Sequence, residues 1–324
     1  MSIASVDVIF GAAWGDEGKG KIATRIVDGY DFVCRYNGGS NAGHTFYIGN
    51  QKVVTHIVPT GVAFGKKSII GPNCVINKED FFKEISYLEE LGFDTSLVKI
   101  SKKAHVVTDR HIEVDREKYS GLIGTTSKGI GPCYADKASR IGIRAQDVFD
   151  EKWLWDEDLY GNVLCEGAQS FWLDINYGSY PYVTSSECLP YAACSLGFSP
   201  KKIRNIIGVA KMYDTRSGID PYFDLNNEET ELIAKLGKEF GSTTGRPRKI
   251  KYLNLDKLIF SLNKSGANIC YLNKGDVLSD ANVFKCIKGN NVVKFDNLDE
   301  MKCFIKGEIV MNTDVVKVEF DFSI

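Results

Sequence analysis

The sequence predicts an α/β fold with a mainly parallel central sheet and a P-loop-like nucleotide site. Apolar runs of strand length alternate with helix-like runs along the chain, and polar or glycine-rich loops follow the strand-like runs. The first strand-like run leads directly into a loop rich in glycine and charge. Alternating strands and helices form a parallel sheet whose ligands bind at the carboxyl ends of the strands. No repeat or compositional break divides the chain, so we expect one domain over residues 1–324.

The loop after the first strand carries the clearest chemistry. Residues 6–10 are the predicted strand and residues 22–27 the predicted helix, and the loop between them holds four glycines, two acids and two lysines. Free backbone N–H groups and the positive end of a helix bind phosphate at such a turn. The run Gly15-x4-Gly20-Lys21 nearly fits the P-loop pattern, but Ile22 stands where a Ser or Thr would hold magnesium. Asp16 is then the nearest candidate ligand for Mg²⁺.

Composition excludes several classes of protein. The 324 residues are 44% hydrophobic and 25% charged, with a net charge of −2, which is typical of a globular protein and gives no basic field for nucleic acid or an anionic membrane. We expect no signal peptide and no membrane span. The nine cysteines are odd in number and form no C-x-x-C pair, so reduced, mostly buried thiols are expected. These features predict a cytoplasmic protein, or one of the host cytoplasm if its source is viral.

A second glycine-rich loop follows the next predicted strand, residues 32–36. It spans residues 37–45 and ends near His44, whose imidazole donates or accepts a proton near neutral pH. Asn77 is then expected to cap an amphipathic helix that ends at Gly92. Residues 109–118 suggest a polar helix, and we expect His105 and His111 to be ordinary surface residues.

Four later stretches suggest ligand contacts. Residues 124–132 and the nearby Arg140 combine hydroxyls, glycines and cations that suit a second phosphate. A second stretch, residues 166–169, stands at the end of a predicted strand. In a third stretch, Arg246 and Arg248 lie beside hydroxyls and a glycine, and such a pair of arginines suits a small dicarboxylate. Residues 273–276 form an N-K-x-D turn after a predicted strand. The carboxylate of Asp276 can accept the N1–H and 2-amino group of guanine, donors that adenine lacks.

Taken together, these loops resemble the adenylosuccinate synthetase family. The resemblance spans residue 6 to about residue 276 in the family's order. The matching segments are Trp14-Gly15-Asp16-Glu17-Gly18-Lys19-Gly20-Lys21, Asn41-Ala42-Gly43-His44-Thr45, Gly124-Thr125-Thr126, Gly129-Ile130-Gly131-Pro132, Glu166-Gly167-Ala168-Gln169, Tyr180-Pro181-Tyr182-Val183-Thr184-Ser185 and Thr243-Thr244-Gly245-Arg246.

The resemblance implies a two-step ligation. The γ-phosphoryl group of GTP first moves to O6 of inosine monophosphate (IMP), and the amine of L-aspartate then displaces phosphate at C6. By the family pattern Asp16 takes the N1 proton of the base, His44 steadies the charge between the two phosphates, and Lys19 lies against the transferring group. Arg140 resembles an arginine that reaches the purine nucleotide of a neighbouring subunit, which implies a homodimer.

The implied site residues fall into five groups. The catalytic residues are Asp16, Lys19, His44 and Gln169. The donor nucleotide is bound by Gly15, Glu17, Gly18, Gly20, Lys21, Lys274 and Asp276. The purine monophosphate is bound by Asn41, Thr125, Thr126, Arg140, Gln169, Thr184 and Ser217. L-Aspartate is bound by Thr244, Arg246 and Arg248. Mg²⁺ is bound by the carboxylate of Asp16 and the backbone of Gly43.

The chain also departs from the family pattern. Residues 150–162 stand where full-length members carry a long helical insert, and the C-terminal Ser-Thr-Gly-Pro element that covers the donor base is missing. Short members include a phage branch that converts dGMP to a 2-aminoadenine precursor, and Ser217, where the family has Val, suits a 2-amino group. That branch typically replaces the base-abstracting Asp, whereas Asp16 is kept. IMP is therefore favoured over dGMP, and ATP stays possible as the donor.

A different class, a nucleotide-binding switch protein, is the alternative that the near P-loop and the N-K-x-D turn suggest. The missing Ser or Thr after Lys21 and the paired arginines at 246 and 248 argue against it.

Overall fold

The computed structural model describes residues 2–223, 227–240, 245 and 247–322. The strands are β1 (Ile3–Gly11), β2 (Phe32–Arg35), β3 (His44–Ile48), β4 (Gln51–Thr55), β5 (Lys67–Ile70), β6 (Val75–Asn77), β7 (Val98–Ser101), β8 (His105–Val107), β9 (Leu154–Trp155), β10 (Gly161–Ser170), β11 (Ile203–Lys211), β12 (Tyr213–Arg216), β13 (Lys249–Asn254), β14 (Ile269–Asn273), β15 (Lys285–Lys288), β16 (Asn291–Lys294) and β17 (Lys317–Asp321). The α-helices are α1 (Lys19–Ile26), α2 (Lys78–Glu90), α3 (Asp109–Val114), α4 (Ser120–Ile123), α5 (Ile130–Ser139), α6 (Glu228–Leu236), α7 (Leu255–Ser265), α8 (Gly275–Ala281) and α9 (Leu298–Asn312).

A nine-stranded sheet forms the centre of the molecule, in the order β17-β14-β11-β1-β10-β2-β5-β7-β9. Its strand pairs are parallel. The predicted α/β fold with a mainly parallel central sheet is therefore confirmed. A smaller sheet, β12-β13-β15-β16, and the two-stranded pairs β3-β4 and β6-β8 lie outside it.

The order of the strands explains why ligand loops collect at β1. The chain passes from β1 through α1 to β2, yet β2 pairs with β10 and leaves β1 between β10 and β11. Such a reversal of strand order opens a crevice at the carboxyl ends of the strands. The loops that follow β1, β2, β10 and β11 therefore meet at one edge of the sheet.

Both faces of the sheet are covered. On one face, Ile9 and Leu164 pack with Ile22 and Ala23 of α1. On the other, Val8 and Val163 pack in a second cluster that includes Phe198. Strands buried on both faces read as continuous apolar runs, which is why residues 6–10 could be recognised from the sequence.

Several local expectations are confirmed and one is wrong. The Asn77 side chain caps α2, as predicted, by accepting a hydrogen bond from the Asp80 amide at 2.9 Å. The nine cysteines are free thiols, most of them buried. The prediction that His105 and His111 are surface residues is wrong, because both are buried. His111 accepts from the Thr108 amide at 3.0 Å through Nδ1, while its Nε2 lies 3.0 Å from Asp136 Oδ2.

In the described part of the chain, none of the helices has the length and apolar character that crossing a membrane requires.

Candidate active site

A cavity of about 430 Å³ opens at the edge of the sheet where the loops meet. Its volume lies in the range of small-molecule sites. It is lined by eleven of the residues that the sequence singled out: Gly15, Asp16, Lys19, Asn41, Gly43, His44, Thr125, Thr126, Gln169, Thr184 and Ser217. These residues come from segments as far apart as 15 and 217, so the fold brings the predicted catalytic residues and most of the residues predicted to bind the monophosphate to one place.

The glycine-rich loop is shaped by Glu17, a buried carboxylate. This side chain accepts hydrogen bonds from the Gly15 amide at 2.8 Å, Lys19 Nζ at 2.9 Å and Ser170 Oγ at 2.7 Å. Gly15 and Gly18 both have positive φ values, which glycine adopts at little cost. Glu17 itself does not line the cavity. It holds the loop and the Lys19 ammonium in place from beneath.

The Asp16 carboxylate lies at the cavity wall with one oxygen engaged. Arg248 Nε donates to Oδ2 at 2.7 Å, and Ser217 Oγ donates to the same oxygen at 3.2 Å. Neither of these two hydrogen bonds reaches Oδ1, which leaves that oxygen for a ligand.

The residues at this point fit a magnesium ion. Among the described residues, no group of three or more His, Cys, Asp or Glu could hold a metal by itself. Mg²⁺ typically takes one or two carboxylates and completes its shell with water and substrate phosphates. The Asp16 carboxylate and the Gly43 backbone, which share the cavity wall, match that sparse donor set.

His44 is buried at the cavity wall and stands beside a second buried carboxylate. Its Nδ1 lies 3.3 Å from Glu166 Oε2, and the side chain of Thr60 also contacts Glu166. Among the described residues, no hydrogen-bond partner reaches His44 Nε2. Burial, followed by repulsion from Arg35, lowers the pKa of His44 to about 4, although Glu166 acts in the opposite direction. The ring is therefore neutral near pH 7 in the absence of anionic ligands.

Gln169 presents an unsatisfied amide to the cavity. It lines the wall, has a positive φ of 55°, and its Oε1 is buried without a hydrogen-bond partner among the described residues. A buried polar atom without a partner costs free energy, which a ligand donor recovers. Gly38 makes room for this arrangement, because a Cβ there would lie 2.6 Å from the Cβ of Ala168 and 3.0 Å from Gln169 Oε1.

The amino terminus of α5 faces the cavity. Ile130 and Gly131 of its first turn line the wall beside Thr125 and Thr126. The free N–H groups of a helix start favour an anion, in agreement with the predicted phosphate site. Arg140 lies at the opposite end of α5, is exposed and does not line the cavity.

Of the residues predicted for the donor nucleotide, Gly15 lines the cavity and the others do not. Lys274 is the N-cap of α8, and Asp276 lies in the first turn of that helix, after the carboxyl end of β14. Lys21 forms an ion pair with Asp321 at 3.2 Å, and burial lowers the pKa of Lys21. The predicted aspartate-binding residues Thr244 and Arg246 lie outside the described residues.

Sequence reasoning missed four residues at this site. Glu166 lay in a recognised segment but without a role, and Arg216, which lines the cavity, forms an ion pair with Asp220 at 3.1 Å. Lys211 and Glu239 form a buried ion pair at 2.8 Å behind Arg248. The signal for Glu166 was its place two residues before the Ala168-Gln169 pair, whereas nothing in the local sequence distinguishes Glu239.

A parallel α/β sheet with a glycine-rich loop at its strand crossover, and above it a cavity that holds several charged and polar groups, is typical of nucleotide-binding proteins of the open-sheet class. The family model for adenylosuccinate synthetase matches residues 8–160 and 154–302. The chain belongs to the adenylosuccinate synthetase family, and it is therefore a ligase that forms a C–N bond with the use of a nucleotide.

Individual relatives agree with this assignment. An adenylosuccinate synthetase of Citrifermentans bemidjiense is 36% identical over 345 residues, which cover 88% of this chain and 80% of the relative. The enzyme of Pelotomaculum thermopropionicum is 36% identical over 344 residues, with 88% and 81% covered.

Two solved structures are similar to the chain. The fully ligated adenylosuccinate synthetase of Plasmodium falciparum superposes with a TM-score of 0.84 at 27% identity, covering 97% of each chain. A succinoaminodeoxyadenylate synthetase of cyanophage S-2L, bound to dGMP and dATP, gives a TM-score of 0.71 at 19% identity, covering 94% of this chain and 99% of that one. The phage likeness establishes a shared fold.

Proposed function

We propose that this ligase takes IMP, L-aspartate and GTP and releases adenylosuccinate, GDP and phosphate. One observation carries the proposal. Asp16, Lys19, His44 and Gln169 line one cavity of about 430 Å³, together with hydroxyls and a helix start suited to a nucleotide phosphate. The curated relatives are adenylosuccinate synthetases, which supports IMP as the purine.

The first step makes O6 of the purine a leaving group. Asp16 accepts the N1 proton, so that O6 gains negative charge and attacks the γ-phosphorus of GTP while the bond to the β-phosphate oxygen breaks. A positioned general base contributes about 10²–10⁴-fold to a rate. Oδ1 of Asp16 is the oxygen suited to this proton, because Oδ2 already accepts from Arg248 and Ser217.

Two cationic or polar groups would steady the transferring phosphoryl group. Lys19 is fixed by Glu17 and Ser170 at the cavity wall. His44 is neutral before ligands arrive, but anionic phosphates beside its Nε2 would favour the protonated ring, with Glu166 supporting the charge at Nδ1. When bound by Asp16 and Gly43, Mg²⁺ would supply charge neutralisation for the phosphate oxygens.

In the second step the amine of L-aspartate attacks C6, and phosphate leaves with O6. Gln169, whose Oε1 has no hydrogen-bond partner among the described residues, is proposed to orient the purine or the incoming amine. Arg248, with Thr244 and Arg246, is proposed to bind the carboxylates of L-aspartate through charge-assisted hydrogen bonds. Asp276 and Lys274 are proposed to bind the donor base, with Asp276 selecting guanine.

We propose that two chains complete each site. Arg140 lies at the carboxyl end of α5, outside its own cavity, and large apolar side chains before and after it in the sequence are exposed. Ile141 is 71% exposed and Leu122 is 72% exposed. Exposed apolar patches mark interaction surfaces. A homodimer through this face would cover the patch and present Arg140 to the purine nucleotide phosphate in the partner's cavity.

A matrix of substrates tests the proposal. IMP, GMP and dGMP are each combined with GTP, ATP and dATP in the presence of L-aspartate and Mg²⁺, and new nucleotide products are identified by mass spectrometry. The proposal predicts adenylosuccinate from IMP with GTP and no product without L-aspartate. Preferred use of dGMP would overturn the substrate assignment, and nucleotide hydrolysis that is independent of L-aspartate would favour a switch protein.

A further inference from the structure

A row of alternating charges runs from the interior to the catalytic carboxylate. Lys211 Nζ donates to both carboxylate oxygens of Glu239, at 2.8 and 2.9 Å, and Tyr213 donates its hydroxyl to the same carboxylate at 2.6 Å. Arg248 Nη1 donates to Glu239 at 2.5 Å, and its Nε donates to Asp16 at 2.7 Å. One guanidinium thus joins two carboxylates that belong to different parts of the fold.

The geometry of the guanidinium limits what else Arg248 can bind. Its planar fork holds a carboxylate bidentately along two edges, one formed by Nε with Nη2 and the other by Nη1 with Nη2. Asp16 accepts from Nε, one donor of the first edge, and Glu239 accepts from Nη1, one donor of the second. A third carboxylate therefore forms a bidentate pair with Arg248 only if one of the two leaves.

Asp16 is the carboxylate that can leave. The side chain of Glu239 is 1% exposed, and that of Asp16 is 26% exposed. Removing Arg248 from Glu239 would weaken the pairing of a buried charge, which is costly. Asp16, in contrast, faces the cavity, where water, a purine N1–H or a cation can replace the guanidinium.

We infer that Arg248 is a carboxylate switch, with Glu239 as the positioning residue that anchors it. Without L-aspartate, Arg248 pairs with Asp16 Oδ2 and so weakens that carboxylate as an acceptor for the purine N1–H at Oδ1. When L-aspartate binds, its carboxylate takes the Nε edge of Arg248, and Asp16 regains its full strength as an acceptor for the purine N1–H. The inference rests on the proposed roles of Asp16 and Arg248, and it adds that Asp16 and L-aspartate exclude each other at one guanidinium edge.

The decisive test is binding of IMP in the absence of L-aspartate, donor nucleotide and Mg²⁺, measured by calorimetry. Arg248→Met removes the cation that weakens Asp16 as an acceptor for the purine N1–H, so IMP should bind about tenfold more tightly, which is the value of one charge-assisted hydrogen bond. Equal or weaker binding of IMP would overturn the switch, because it would mean that Arg248 only supports Asp16. Arg248→Lys retains the charge without the fork and should bind IMP about as the parent does.

Glu239→Gln tests the anchor in the opposite direction. Arg248 loses its fixed partner and stays with Asp16, so IMP should bind no more tightly than to the parent. The KM for L-aspartate should rise about tenfold, while the KM for GTP stays within about twofold of the parent. An unchanged KM for L-aspartate, or an equal rise in all KM values, would remove Glu239 as a positioning residue.

The chain offers a matched control for this variant. Glu229 accepts hydrogen bonds from Lys285 and Tyr252, just as Glu239 does from Lys211 and Tyr213, but it does not contact Arg248. Glu229→Gln should leave IMP binding and the KM for L-aspartate unchanged, and a change as large as that of Glu239→Gln would overturn the anchor. Thermal unfolding of each variant verifies that it is folded.

Failure of the proposed function would look different. If the parent does not bind IMP, the purine assignment fails, and if Arg248→Met leaves the KM for L-aspartate unchanged, the aspartate site fails. If Arg248→Met raises that KM without tightening IMP binding, only the switch is refuted.

Discussion

Replacing Asp16 with asparagine perturbs the proposed chemistry with little effect on the fold. Asp16 adopts a left-handed backbone conformation with φ of 61°, and asparagine tolerates that region about as well as aspartate. The amide oxygen of asparagine can still accept the hydrogen bond that Ser217 donates at 3.2 Å. The substitution therefore removes a charge and a proton acceptor while the side chain keeps its size.

The expected loss of activity follows from the N1 proton, which the purine must give up before O6 can attack the phosphorus. An amide does not accept the N1 proton, and loss of a general base lowers a rate by about 10²–10⁴-fold. We therefore expect Asp16→Asn to reduce kcat by this factor while IMP binding changes by less than about 1 kcal/mol, or about fivefold. Rapid-quench measurement of GDP release with IMP, without L-aspartate, isolates the first step.

The rate of GDP release tests the catalytic role of Asp16. If Asp16→Asn releases GDP at a rate within about threefold of the parent, the activation barrier has changed by less than about 1 kcal/mol, and Asp16 is not the general base. Ser217→Ala is the matched control, since it deletes the other side chain on Oδ2 but no proton acceptor, and it should retain most of the activity.

Three further predictions concern assembly, donor choice and pH. Arg140→Leu should raise the KM for IMP and leave the KM for L-aspartate nearly unchanged. Mixing Arg140→Leu subunits with Asp16→Asn subunits should restore some activity, and continued inactivity after confirmed subunit exchange would mean that each chain completes its own site. Asp276→Asn should weaken use of GTP by about 1–3 kcal/mol, as a guanine donor loses its partner, and a parent that already prefers ATP would refute the reading of guanine. Burial raises the pKa of Asp214 to about 7, so the folded protein holds a proton there that the unfolded chain releases above pH 3.8, and the contribution of Asp214 to the free energy of unfolding should fall by about 3 kcal/mol as the pH rises from 4 to 7. His44, whose pKa is lowered by burial, contributes in the opposite direction, so the parent is compared with Asp214→Asn in urea titrations at about pH 4 and pH 8. The variant should lack the Asp214 contribution, and an identical pH dependence of the two proteins would contradict it.

The sequence carried the parts of this molecule that depend on local chemistry. The strand of residues 6–10 shows as a buried apolar run, and the glycines after it show as a tight loop, in which Gly15 and Gly18 adopt the positive φ that glycine permits. The Asn77 cap and the carboxyl-end loops follow from similarly local rules. The family resemblance then assigned roles to those loops, and the matching family model agrees with it.

The remaining features depend on contacts between distant segments. Arg248 lies 232 positions from Asp16, and Glu166 lies 122 positions from His44, so no periodicity or short motif relates these pairs. Glu166 lies on β10 of the central sheet whereas His44 begins β3 of a separate pair, and Asp16 follows β1 whereas Arg248 precedes β13 of the smaller sheet. Both contacts therefore depend on how separate sheets pack together. His111 was misjudged for the same reason, because its partner Asp136 belongs to a later helix.

The most direct test of the account follows one oxygen atom. IMP labelled with ¹⁸O at position 6 is incubated with the protein, GTP, L-aspartate and Mg²⁺, and the products are separated and weighed by mass spectrometry. If O6 is phosphorylated before the amine of L-aspartate displaces it, the label must appear in inorganic phosphate, in step with adenylosuccinate formation. Label that remains in the purine, or that is released as water, would contradict a 6-phosphoryl intermediate and with it the roles proposed for Asp16 and His44.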